Sequence, residues 1–133
     1  MSNEFRGTGN VAAPPLLKTV RVGNEERQVA QLRVYFDEYR QDGAGGLEAA
    51  GGFWLDVNVW GERHAAEVAD LVKKGARVHV VGKLAEHVWT ATATGEERRA
   101  LYLNADHLFL SLARLAEANF KPRREAAEGK APA

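Results

Sequence analysis

Apolar and polar residues alternate through Phe53-Trp54-Leu55-Asp56-Val57-Asn58-Val59-Trp60. A strand with that pattern places Phe53, Leu55, Val57 and Val59 on one face and Trp54, Asp56, Asn58 and Trp60 on the other. Arg77 to Trp89 repeats it, with Val78, Val80, Leu84 and Val88 opposite Arg77, His79, Lys83, His87 and Trp89. Gln28 to Tyr39 does the same: Ala30, Leu32, Val34 and Phe36 face one way, and Gln31, Arg33, Tyr35, Asp37 and Tyr39 the other. The apolar faces supply a core. The polar faces are the anomaly, because all three tryptophans stand on them among charges and amides. Flat aromatics beside cations suit stacking on unpaired bases.

The remaining elements follow from the same periodicities. Glu4 to Asn10 reads as a first strand broken by Pro14-Pro15, since proline cannot donate to a strand ladder, and Leu16 to Val22 continues it. Gly23-Asn24 is a turn signal. Gln41 to Gly52, rich in glycine, reads as a flexible connection. From Glu62 to Lys74 the period changes: Ala65, Val68, Ala69 and Val72 fall at helical spacing, and Leu71 widens the stripe. Glu62 opens this helix, Lys73-Lys74 close it in keeping with its dipole, and Gly75 is a left-handed stop. Arg98 to Leu112 is a further strand after a hairpin tip at Thr94-Gly95-Glu96. A short helical segment is expected beyond Ala113, and a disordered tail from Lys121 to Ala133.

Five strands with one helix between the third and fourth is the order of the OB-fold, a small all-β Greek-key barrel. That fold binds oligonucleotides or oligosaccharides over its second and third strands. Tyr35, Tyr39, Trp54 and Trp60 lie on those strands. The expected organisation is one barrel domain over residues 1–112 and a tail over 113–133.

Composition narrows the classes. At 133 residues, with 45% hydrophobic and 27% charged residues, the chain suits one soluble domain with a real core. It has no cysteine, so neither disulfides nor a thiolate metal site, and its start lacks the order of a secretory signal. No apolar run is long enough to span a bilayer, and a cytoplasmic location is expected. Net charge is zero, from 18 basic and 18 acidic residues, which argues against a protein that relies on duplex phosphates alone. Any basic path must be local.

No catalytic chemistry emerges. His79 and His87 share a strand face but lie about 26 Å apart at full extension, too far for one metal ion. Gly43 to Gly46 lacks the Gly-Lys-Ser/Thr of a phosphate loop. Asp56, Glu86 and Asp106 form no persuasive acid-base pair, and no nucleophile-histidine set is visible. Neither an enzyme nor a metal or other cofactor is expected.

Several stretches resemble the bacterial single-stranded DNA-binding protein family. They are Gly9-Asn10, Val29-Ala30-Gln31-Leu32, Phe53 through Trp60-Gly61, Leu71-Val72-Lys73-Lys74-Gly75-Ala76-Arg77-Val78, Val80-Val81-Gly82-Lys83-Leu84 and Trp89-Thr90, in that order over residues 3–112. The resemblance implies that Trp54, Trp60 and Trp89 stack on bases, with Tyr39 near a further stacking position. It also implies a homotetramer, with a dimer as the alternative. Two departures stand out. The sequence reads out at Ala131-Pro132-Ala133 after a basic stretch, without the acidic, apolar tip through which cellular family members recruit replication partners. The Pro14-Pro15 pair and the glycine-rich loop also differ, and together these suggest a mobile-element or plasmid type.

The expected ligand is therefore single-stranded DNA, bound without sequence preference during replication, recombination, repair or conjugative transfer. The expected contacts are Trp54, Trp60 and Trp89, then Tyr35 and Tyr39, with Arg33, Lys83 and Arg77 on phosphates. Each has a plainer alternative. The tryptophans could line a subunit interface, as in a primosome-like adaptor. A bulge at Gly82 would turn Trp89 inward. Tyr35 and Tyr39 could be cross-strand packing, and the cations a solvated face.

Overall fold

The computed structural model describes residues 3–122. Six strands and one helix run in the order β1 (Asn3–Val11), β2 (Leu16–Val22), β3 (Glu25–Gln41), β4 (Leu47–Trp60), α1 (Glu62–Leu71), β5 (Arg77–Thr90) and β6 (Glu97–Leu110). The strands form one sheet in the order β1-β5-β6-β4-β3-β2, which closes because the end of β1 also pairs with β3 through Asn10–Tyr35 and Val11–Val34. β4 and β6 are parallel and the other pairs antiparallel. This is the expected OB-fold. The strand count rises from five to six because the break around Pro14-Pro15 separates β1 from β2, which lies along the outside of β3.

The alternating faces sort as the pattern predicts. Val11, Leu32, Val34, Val57, Val78, Val80 and Leu103 are buried inside the barrel. Each removes its side chain from water, worth about 1.5–3 kcal/mol apiece. Phe53 belongs to the inward face but sits at the rim, where its ring lies 5.8 Å from Phe36 and 6.0 Å from Phe5. α1 packs on β3 and β4 through Ala65 and Val68. It starts from Gly61, whose φ of 111° favours glycine.

The sequence overestimates α1. It ends at Leu71, because Val72 turns to extended backbone and is buried with the core, while Leu71 stays exposed. The Lys73 ammonium still donates to the Asp70 carbonyl at 2.7 Å, closing the helix end as its charge suggests. The glycine-rich stretch is also more ordered in pattern than a flexible connection. β3 and β4 continue through it as a hairpin arm, and Asp42 accepts from the backbone amides of Ala44 and Gly46 at 2.8 and 3.0 Å. Those two bonds lower the Asp42 pKa. A register shift between Asp37 and Tyr39 is accommodated near Gly51, at φ 102°. Beyond β6, the segment to Pro122 contains no helix; Arg114 at φ 67° turns the chain instead. The expected disordered tail falls on residues 121–133, of which 123–133 lie outside the described residues.

Candidate nucleic-acid interface

Tyr35 and Trp54 are direct partners across β3 and β4, with ring centroids 5.0 Å apart. Arg33 is the next outward residue on β3. Its guanidinium carbon lies 5.3 Å from the centre of the Trp54 ring, and its Nη1 donates to Asp56 Oδ1 at 3.0 Å. Trp54 is thus flanked by an aromatic and a cation yet remains 48% exposed. Nothing in the core requires it there, since Leu55 and Val57 carry the inward face.

A groove of about 800 Å³ opens next to this cluster. Trp60 stands on its wall from β4, and Trp89 and His87 from β5. Gln31, Asn58 and Asn104 line it from β3, β4 and β6. Asn58 and Asn104 are parallel neighbours in the sheet. The Trp60 indole N–H donates to Asn104 Oδ1 at 3.1 Å, which fixes that ring against β6. Trp60 also faces Val29 across the strands, and Val29 is buried although it lies outside the main core cluster. The His87 and Trp89 rings stack at 5.1 Å and 18°. Trp60 and Trp89 are 37% and 41% exposed, so all three tryptophans present substantial surface on the outer side of one barrel. The Asn58 Oδ1 atom is buried with no hydrogen-bond partner among the described residues.

The profile of the single-strand binding protein family matches residues 3–111. The chain belongs to that family. Solved structures that share its fold include the following two. One is a small single-stranded DNA-binding protein from Streptomyces coelicolor, at 18% identity and TM-score 0.68, covering 86% of this chain and 98% of that one. The other is a Plasmodium falciparum SSB in complex with ssDNA, at 19% identity and TM-score 0.66, covering 84% of this chain and 96% of that one. No curated protein sequence matches the chain. Proteins of the single-strand binding family are DNA-binding proteins rather than enzymes.

Within this family frame, the register of β5 decides where Trp89 points. A register shift does occur beside Gly82, but the extra residue is Asp106 in β6. The alternation of β5 is therefore preserved, and Trp89 stays on the side of Lys83 and His87.

The cations divide into two sets. Arg33 and Lys83 lie at the surface and pair with Asp56 and Asp106, each at 3.0 Å. Exposed pairs of this kind contribute about 0–1 kcal/mol, so a phosphate can displace either carboxylate. Arg77 differs. Its Nη1 donates to both Asp37 oxygens at 3.0 and 3.1 Å and to Asn10 Oδ1 at 3.2 Å, with the Asp37 side chain only 9% exposed. Asn10 is the residue that pairs with Tyr35 on one side and Arg77 on the other. Arg77 therefore ties the seam where the barrel closes, and its charge is already committed. Burial pushes the Asp37 carboxyl up, but hydrogen bonds from Arg77 and Tyr39 outweigh it and hold the pKa below its ordinary value. The same contact with Asp37 raises the pKa of Tyr39, whose ring remains exposed on the hairpin arm.

Tyr102 and Asn104 were not singled out from the sequence. They occupy the outward positions of β6 on either side of buried Leu103, opposite Asp56 and Asn58. The signal was present in the alternation Leu101-Tyr102-Leu103-Asn104, but only the parallel pairing of β6 with β4 brings it to the tryptophans.

Proposed function

We propose that this chain binds single-stranded DNA without sequence preference, stacking bases on Trp54, Trp60 and Trp89. Arg33 and Lys83 exchange their carboxylate partners for phosphates, and Tyr35 and Tyr39 extend the aromatic surface toward the hairpin arm. The observation that carries this reading is the exposure of all three tryptophans on the outer side of one OB barrel, two of them on the walls of an open groove. Stacking on an aromatic contributes about 1–3 kcal/mol per base and tolerates any base. The bound strand cannot re-pair, fold or be cut, which suits replication, recombination, repair or conjugative transfer in the cytoplasm. Arg77 serves this site by holding the barrel seam beside Tyr35.

Assembly as a homotetramer belongs to the same reading. Exposed Phe109, Leu110, Leu112 and Leu115, at and beyond the end of β6, are apolar surface that assembly would cover.

The test is tryptophan fluorescence during titration with oligo-dT, with duplex DNA as control, at low and moderate salt. Quenching by the single strand alone, with a salt-dependent midpoint, is the expected result. A folded protein whose tryptophans are not quenched would instead favour an adaptor that buries this face against another protein.

A further inference from the structure

Between Trp60 and Trp89 the groove is crossed by one more aromatic ring. Tyr102 projects outward from β6, two positions along from Asn104, which holds the Trp60 indole. Its cross-strand neighbours are Asp56 on β4 and Ala85 on β5. His87, which stacks on Trp89, pairs with Ala100. The side chains at 85 and 100, on the same outer face, are only methyl groups. Among the described residues the ring stacks on no other aromatic, and its hydroxyl makes no hydrogen bond. Tyr102 is half-buried and lines the groove.

The ring is held by no other aromatic among the described residues, and it stands where a strand passing from Trp60 to Trp89 must cross β6. We propose that Tyr102 is a further base-stacking platform, and that the bound strand runs from β4 over β6 to the β5–β6 hairpin through this groove. The inference rests on the single-stranded DNA reading and adds a path to it. Aromatics in sequence across β4, β6 and β5 let bases along the strand stack at intervals without the strand leaving the surface. Gln31, Asn58 and Asn104 line the way with neutral amides, and Arg27 and Arg33 set two cations against the one carboxylate, Asp56.

The test uses the full chain and oligo-dT as probe, comparing wild type, Tyr102→Phe and Tyr102→Ala by fluorescence titration, with thermal unfolding alongside. Tyr102→Ala is expected to weaken binding about 5- to 150-fold, the equivalent of one lost stack. Tyr102→Phe is expected to bind as wild type does, because it keeps the ring that stacks. Photocrosslinking of the wild-type protein to oligo-dT carrying 5-iodouracil should label the peptide containing Tyr102, which keeps the inference testable even if Tyr102→Ala fails to fold. A wild type that binds oligo-dT while Tyr102→Ala binds equally well would overturn the proposed path and leave the single-stranded DNA reading standing. Absence of binding by the wild type would overturn both.

Discussion

Arg33 and Trp54 are self-stacked: the guanidinium lies 5.3 Å from the ring centre while it pairs with Asp56. A base that stacks on that side of Trp54 must move the guanidinium aside. On the proposed reading, Arg33 leaves its carboxylate and becomes available to phosphate in the same motion. Asp56 would then oppose binding twice, by holding the cation over the ring and by presenting negative charge to the strand.

Asp56→Asn should accordingly tighten binding of oligo-dT by up to about fivefold, the scale of one exposed ion pair. The salt slope should stay close to that of the wild type, since Arg33 reaches the same phosphate in both complexes. Thermal stability should change little. Titrations at several salt concentrations check this, and weaker binding by Asp56→Asn would mean that Asp56 positions Arg33 productively.

Trp54 and Trp60 should separate affinity from folding to different degrees. Trp54→Ala removes an exposed ring flanked only by surface groups, and should cost affinity about tenfold with a small change in unfolding temperature. Trp60→Ala loses the hydrogen bond to Asn104 as well and uncovers Val29. It should lower affinity similarly but also reduce stability by about 1–2 kcal/mol. Urea unfolding beside titration distinguishes the two. A larger stability loss for Trp54→Ala than for Trp60→Ala would contradict the packing described.

The inward and outward faces of β3, β4 and β5 were legible because alternation is a local property. Val34 and Tyr35, or Val59 and Trp60, declare their sides by neighbours alone. The barrel closure, the parallel β4–β6 pair and the bulge at Asp106 were not, because they depend on residues far apart in sequence. That is why the tryptophans could be read as a binding surface while Tyr102 could not be placed beside them. The pairing of Arg77 with Asp37, 40 residues away, is likewise invisible to local alternation. Helix α1 was extended too far because Val72 satisfies both the helical stripe and the core, and the core prevails.

The Arg77–Asp37 pair predicts a pH dependence of stability. The folded pKa of Asp37 is lowered from its ordinary value near 3.8, so the pair's contribution is fully present above that value. It is lost as pH falls through the folded value, where the carboxyl takes up its proton. The stability difference between wild type and Asp37→Asn should therefore be constant from neutral pH to about pH 5 and shrink below pH 4. Arg77→Ala should cost about 1–3 kcal/mol at neutral pH, because it leaves a largely buried carboxylate short of donors. Its effect on oligo-dT affinity should be no larger than the loss of stability explains. A strong affinity loss in a variant of wild-type stability would return Arg77 to the phosphate contacts.

Gly82 links the fold to the groove most directly. A Cβ at that position would meet the carbonyl oxygen of Asn104 and come within 2.8 Å of the Ala105 Cα, both of them backbone that cannot swing away. The collision falls where β6 accommodates Asp106 as its extra residue. Relief requires β6 to shift, which displaces Asn104 from Trp60 and Tyr102 from its place between the tryptophans. Gly82→Ala should therefore lose about 3 kcal/mol, lowering the unfolding temperature by roughly 10 °C, and lose affinity in the fraction that remains folded. Gly95→Ala is the control. Gly95 has φ 74° at the hairpin tip with nothing within 4 Å of an added Cβ. It should cost only about 1 kcal/mol in backbone strain and leave binding intact. Equal losses for the two variants would mean that the close approach of β5 to β6 is not what sets the groove.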